Sequence, residues 1–329
     1  MTISFNKKIL IPLLIIAIVF WAVSIWWDTY PSIYDVKKRT QAIAAESNQE
    51  IVPGYTTTTT LIELTNWLVD KPGGFLSNDM TPPGIIMDNM PAFEYGVLEQ
   101  VRDLALVMRL DFSRSQSQST GDKDLEIAQS KLNISHKNWI LPSAEGEYKD
   151  AITALKRYRT RLADNKDTKA QFYTRADNLA DWLSEVEKRL GSMSQRLSAS
   201  VGEDRFNIEL VGDKSAKQST ETSEEFKADT DWLEIDDVFY ESRGATWAIL
   251  QLLKAVEIDF QDVLKDKNAL ASLHQIIRDL EATQETLWSP MVLNGSGFGM
   301  LANHSLVLAN YISRANAAII DLRRLLEQG

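Results

Sequence analysis

From Ile9 to Trp27 the chain reads ILIPLLIIAIVFWAVSIWW, 19 residues without a charge. At about 1.5 Å of rise per residue, a helix of this length matches a hydrocarbon layer of roughly 30 Å, so the run is expected to span a bilayer. A cleaved signal peptide is the competing reading, with Lys7 and Lys8 as its charged start and Ala22-Val23-Ser24 as a small-residue cleavage site. The apolar core of a secretory signal runs about 7 to 15 residues. This one continues into Trp26 and Trp27 and is followed by Tyr30, as aromatic anchors at a membrane surface do. The retained anchor is therefore preferred. Pro12 falls in the first helical turn, where a missing N–H costs nothing. Lys7 and Lys8 flank one side, whereas Asp28 and Asp35 come first on the other, ahead of Lys37, Lys38 and Arg39. The positive-inside bias puts residues 1–8 in the cytoplasm.

The first 39 residues carry five basic and two acidic side chains, a net +3, which leaves −14 for the rest of a chain whose total is −11. An acidic body is repelled by nucleic acid and by anionic headgroups, so no nucleic-acid partner is expected. The chain has no cysteine, which removes disulfides, thiolate nucleophiles and Cys-type zinc sites. His136, His274 and His304 lie in separate segments, none within HExxH or a Glu-x-x-His pair. Neither a metal site nor a cofactor is expected. There is no G-x-S-x-G elbow; a Ser-His-Asp triad leaves no fixed spacing and stays open.

Beyond the membrane run the pattern is helical. Residues 28–54 read as a polar, helical stalk ending at Pro53-Gly54, and YTTTTTLIELTNWLVD as a helix capped by its threonines, with Leu61, Leu64 and Leu68 on one face. Helices are expected over Ala92 to Phe112, around Leu125 to Leu132, and over Ala144 to Leu162. Phe172, Ala176, Leu179, Leu183, Val186, Leu190, Met193 and Leu197 step by four and three throughout, a heptad seam. Leu301, Ser305, Leu308, Ile312, Ala315, Ile319, Leu322 and Leu326 repeat it at the end of the chain. The seams serve either an intermolecular coiled coil or an internal bundle; the bundle is preferred, with the two helices packed on each other, and a homo-oligomer stays open. Residues 202–230, rich in Ser, Thr, Lys and Glu, read as a flexible connector between a first helical subdomain (55–201) and a second (231–329). The second is expected to hold long helices over Leu233 to Leu264 and Lys267 to Leu287. The fold class is all-α: one N-terminal transmembrane helix over 9–27, then a bundle of long helices.

Four stretches are candidates for chemistry or binding. DWLEIDDVFYESRG sets Asp237 and Glu241 four apart on one helical face, the spacing a carboxylate pair for glycan cleavage could use, although acids in a first turn also complement the helix dipole. KPGGFLSNDMTPPGIIMDNMP (71–91) cannot be regular structure; its Phe75, Leu76, Ile85 and Ile86 either pin the loop to the body or dock on a partner or membrane surface. KRYRTR offers Arg157, Arg159 and Arg161 to an acidic partner or phosphate, against the simpler reading of a solvated face paired with nearby acids. NGSGFGMLANHS places Gly295, Gly297 and His304 before a helix, where N–H groups can hold an anion. It lacks the strand and the Lys-Ser/Thr of a nucleotide loop, and a tight helix-to-helix turn explains the glycines.

The anchor together with VPGYTTTTTLIELTNWLVDKPGGFLSNDMTPPGIIMDNMPAFEYG, LPSAEGEY, FYESRGATWAIL and NGSGFGMLANHSLVLANYISRANAAIIDLRRLLEQG resembles, over nearly the whole chain, a Gram-negative bacterial family designated only as domain of unknown function 2333. The resemblance implies an inner-membrane protein with a large periplasmic part and brings no catalytic residues. The expectation is a single-pass protein whose partners are the bilayer, through 9–27, and an envelope protein, and whose helical domain acts as a scaffold or adaptor. The alternative is a peptidoglycan-directed enzyme or glycan-binding module using Asp237 or Glu241.

Overall fold

The structure, a computed structural model, describes residues 7–115, 121–164, 169–206, 225–228, 230–289, 291–295 and 300–328, with side chains described from Ile11 onward outside 201, 203–206 and 225–228. Eleven helices make up its frame: α1 Lys7–Trp27, α2 Val36–Ser47, α3 Tyr55–Asp70, α4 Asn89–Val107, α5 Lys123–Leu132, α6 Ala144–Leu162, α7 Ala176–Ser198, α8 Ile235–Asp259, α9 Gln261–Asp266, α10 Leu270–Ala282 and α11 His304–Glu327. The fold is all-α. Within the stretch read as a connector, strands β1 Glu203–Phe206 and β2 Glu225–Ala228 pair as a short antiparallel ribbon. Among the described residues, no helix is long and apolar enough to cross a membrane.

The centre of the bundle is the contact between α4 and α8, one helix from each half of the chain. Any Cβ on Gly96 would collide with the Glu241 carbonyl, and any on Gly244 with the Phe93 carbonyl. Cβ bonds lean toward a helix N-terminus, and each glycine meets the carbonyl three residues before the other. The two helices therefore run parallel with their backbones touching. Phe93, Trp247 and Trp67 close around the crossing, with ring centroids 5.3 to 6.2 Å apart.

The heptad seams are internal. Leu179, Leu183, Val186, Leu190, Met193 and Leu197 of α7 are buried together with Leu308, Ile312, Ala315, Ile319, Leu322 and Leu326 of α11. Ser194 against Ser313 and Glu187 against Arg323 set the pair antiparallel. Two positions read into the seams lie outside their helices. Phe172 precedes α7 and buries its ring against Phe112 and Phe260; Leu301 precedes α11 and is exposed. Phe260 also ends the expected helix over 233–264: its ring joins this aromatic cluster, and α8 stops at Asp259 before α9 begins. The expected 267–287 helix shortens to α10, and the 92–112 helix begins at Asn89 and finishes in a π turn, Met108–Phe112.

The threonine run of α3 is helical, as expected, but it does not cap. Gly54 occupies the N-cap in a left-handed conformation without a side-chain bond, and Thr56 to Thr60 are all buried. The cap comes from another helix. Asp259, at the end of α8, accepts from both the N–H and the hydroxyl of Thr57, each at 2.7 Å, and so satisfies an N-terminal donor that the chain itself leaves open. Burial pushes the Asp259 carboxyl up to about 6, with the Thr57 and Gly54 donors opposing. Its ordinary value is about 3.9. The folded protein thus holds that proton more tightly, and stability present below pH ~4 is lost as pH rises through about 6. Asp259→Asn is expected to gain on the native chain across that window, by up to ~3 kcal/mol at two pKa units. Denaturation of both at pH 4 and pH 7 checks this; a pH-independent gap would sink it.

Candidate functional site

On α8, Asp237 and Glu241 do not form one site. Glu241 is gripped by Arg196 of α7 through both guanidinium amines, at 2.8 and 2.5 Å, and lines a cleft of about 490 Å³ with Tyr95, Glu99, Arg189 and Ser192. The charges of that cleft are largely matched: Arg189 meets Asp103 at 2.6 Å and Glu99 at 2.9 Å, and Lys188 meets Glu185 at 2.7 Å. Asp237 does not line it. It is half-buried, and burial together with Asp88, Asp236, Glu234 and Glu241 pushes its carboxyl up to about 6.

The arginines of KRYRTR are turned inward or sideways onto neighbours. Arg157 meets Asp124 at 2.8 Å, and Arg161 meets Asp122 and Asp124 at 2.8 and 2.7 Å, tying α6 to the start of α5. Arg159 is buried, its guanidinium 5.2 Å from the Tyr55 ring centre and 3.2 Å from the Thr59 hydroxyl. The three arginines link α6 to α5 and α3.

The glycine turn is closed by its own backbone. Gly295 N–H donates to the Ala302 carbonyl, His304 N–H to the Leu293 carbonyl, and Leu293 N–H returns to His304 Nδ1 at 2.9 Å. Asn303 caps α11 by accepting from Leu306 N–H at 2.8 Å. The N–H groups of Leu293, Gly295, His304 and Leu306 are thereby engaged within the chain, and burial lowers the His304 pKa. Gly297 lies outside the described residues. His136 is pushed down to about 4 by burial and faces Tyr95 at 4.7 Å, and His274 meets Glu257 at 2.8 Å. No group of three His, Cys, Asp or Glu able to hold a metal occurs among the described residues.

Sequence reasoning missed two features. One is a cleft of about 710 Å³ between residues 33–37 and helices α8 and α10, walled by Lys37, Lys254, Glu257, His274, Arg278 and Glu281. Lys254 and Glu281 pair across it at 2.7 Å. The other is a fully buried ion pair. Glu94 of α4 sits 2.7 Å from the Lys71 ammonium and accepts from Leu76 N–H, Ser77 N–H and the Ser77 hydroxyl at 2.7 to 3.1 Å. Lys71 also donates to the Gly74 carbonyl. A Glu beside Phe93 on the core face of a helix, with Lys-Pro-Gly-Gly at a helix end upstream, was the available signal. Burial pushes the Glu94 carboxyl up, and Lys71 and the loop donors oppose it.

That pair explains the fate of the 71–91 loop. Phe75 and Leu76 are buried in the protein's own core, Phe75 edge-on to Tyr148 at 5.3 Å, while Ile85 and Ile86 remain exposed. Removing one member strands a buried charge, which costs about 3 to 5 kcal/mol. Lys71→Met is expected to destabilise on that scale, and adding Glu94→Gln is expected to recover a substantial part. Denaturation midpoints of the two singles and the double measure the coupling; strictly additive losses would count against the pair.

Neither a curated protein nor a solved structure matches the chain significantly. A family model described as an uncharacterized protein conserved in bacteria, DUF2333, matches residues 2–329. The buried Lys71–Glu94 loop, the α4–α8 crossing and the capped turn before α11 all fall within that match, and the chain belongs to this bacterial family.

Proposed function

We propose that this is a single-pass protein of the bacterial inner membrane, with residues 1–8 in the cytoplasm and a periplasmic helical bundle serving as scaffold or adaptor in an envelope assembly. The observation that carries it is the uncharged run from Ile9 to Trp27; the side chains of α1 are described only from Ile11 onward, a stretch too short to cross by itself. Its residues from Ile11 to Trp26 are apolar on every side, apart from Ser24, and mostly exposed on every side, a surface that water does not tolerate and lipid does. Its last residue, Trp27, packs onto the body over Gly73. Tyr30, just beyond, stacks on Tyr240 at 5.2 Å and meets Phe93 at 5.1 Å. In this reading the anchor joins the bundle through packed aromatic rings. Ion pairing along the Glu241 cleft and along α6 favours a scaffold over a hydrolase.

A second reading rests on Asp237. A carboxyl held near 6 is suited to general acid work, and an envelope enzyme or glycan-binding module would use it.

A periplasm-dependent reporter fused after Gly329 is expected to be active and a cytoplasm-dependent one silent; the reverse pattern overturns the topology. Crosslinking in intact membranes followed by affinity capture is expected to return a fixed envelope partner. Peptidoglycan hydrolysis that Asp237→Asn abolishes would transfer the assignment to the second reading.

A further inference from the structure

Helix directions converge on one end of the bundle. Because α4 and α8 run parallel, their N-termini lie together; Asp88, just before α4, acts on Asp237 in the first turn of α8. Against them α7 runs antiparallel, from Arg189 beside Asp103 to Arg196 beside Glu241, so its C-terminus lies at this end, and the N-terminus of α11 follows. Helix α10 reaches it too, with Glu285 O accepting from Arg243. The joint with α1 is at the same end, where Trp21, Ile25 and Asp28 share a hollow with Ile86 to Met90. The loop before α6 joins them through Asn138 O, which accepts from Asn78.

Each of these loops shows a large apolar side chain to solvent. Ile86 is 72 % exposed, Leu141 90 %, Trp232 78 %, Trp288 92 % and Leu301 64 %, and Met300 is fully exposed. Four separate loops carry such residues at one end, the connection between α10 and α11 holding three of the six, and large apolar side chains gathered on one exposed face mark an interaction site. We propose that this end of the bundle is a membrane-contacting rim, whose apolar tips enter the uncharged interfacial layer of the bilayer that holds α1. The inference rests on the anchor reading above. Continuity with α1 sets the occupant, since the rim surrounds the point where the anchor leaves the body, and tryptophan prefers that layer. Acidic neighbours set the lipid class: Asp79, Asp88, Asp231 and Asp236 belong to the same loops and helix starts, and they disfavour adsorption to anionic headgroups. Contact is therefore apolar and insensitive to salt.

The cysteine-free chain lets a single thiol be labelled at will. Full-length protein carrying Ile86→Cys, Leu141→Cys or Leu301→Cys, with Leu110→Cys in the π turn at the opposite end as control, is labelled with an environment-sensitive fluorophore and reconstituted in phosphatidylcholine vesicles. Nitroxide-bearing lipid is expected to quench the three rim labels several-fold more than the control, at both low and high salt. Rim labels that iodide reaches as freely as the control, on protein that still floats with the vesicles, would overturn the rim and leave the anchor standing. Failure to float overturns the anchor and the rim with it. Labels shielded from iodide yet untouched by nitroxide lipid would put a second copy of the chain on this face and overturn the proposal.

Discussion

The rest of the bundle depends on the backbone contact between Gly96 and Gly244. A side chain at either position would displace a carbonyl of the opposite helix, so this close approach exists only because neither residue has a Cβ. Its consequences are directional. Parallel placement of α4 and α8 sets α7 and α10 antiparallel to them, and through α7 it sets α11. It also joins the halves into one core, running from Leu61 to Leu326 without interruption. The ribbon of β1 and β2 links two parts that are already packed as one.

Polar groups in this interior are used to fix segments that apolar packing alone would leave loose. Glu94 collects an ammonium, two backbone N–H groups and a hydroxyl from a proline- and glycine-rich loop, and Asp259 serves a helix start that lacks its own cap. A buried carboxylate is costly unless such donors meet it. Here the cost is turned into position, because the loop must bring these donors to Glu94 to satisfy the charge. Pinned by its first half, the loop holds Ile85 and Ile86 outside, beside the hollow it shares with the anchor helix.

Periodicity made the seams of α7 and α11 and their internal partnership legible, because burial follows a repeat that can be counted. The ends of helices were less so. Phe260 looks like one more apolar position in a long helix, and only its ring partners from distant segments explain why α8 stops there. The threonines of α3 look like caps, and the true cap lies 202 positions along the chain. Candidate sites fared according to the same logic. Charges close in sequence diverge in the fold: Arg157 turns to α5 and Arg159 to α3, while Glu241 is held by α7 and Asp237 is not. The Lys71–Glu94 pair converges from positions that no local spacing relates.

The antiparallel seam between α7 and α11 also imposes an order in time. The stripe from Leu179 to Leu197 is synthesised early, and its cover, Leu308 to Leu326, is the last helix of the chain. At about 5 to 20 residues per second, the interval between them is on the order of 6 to 26 s. Through that interval a row of leucines, a valine and a methionine has no intramolecular lid. Completion of the core therefore waits on the final helix, and a chain that stalls before it emerges as a fragment with an open hydrophobic seam.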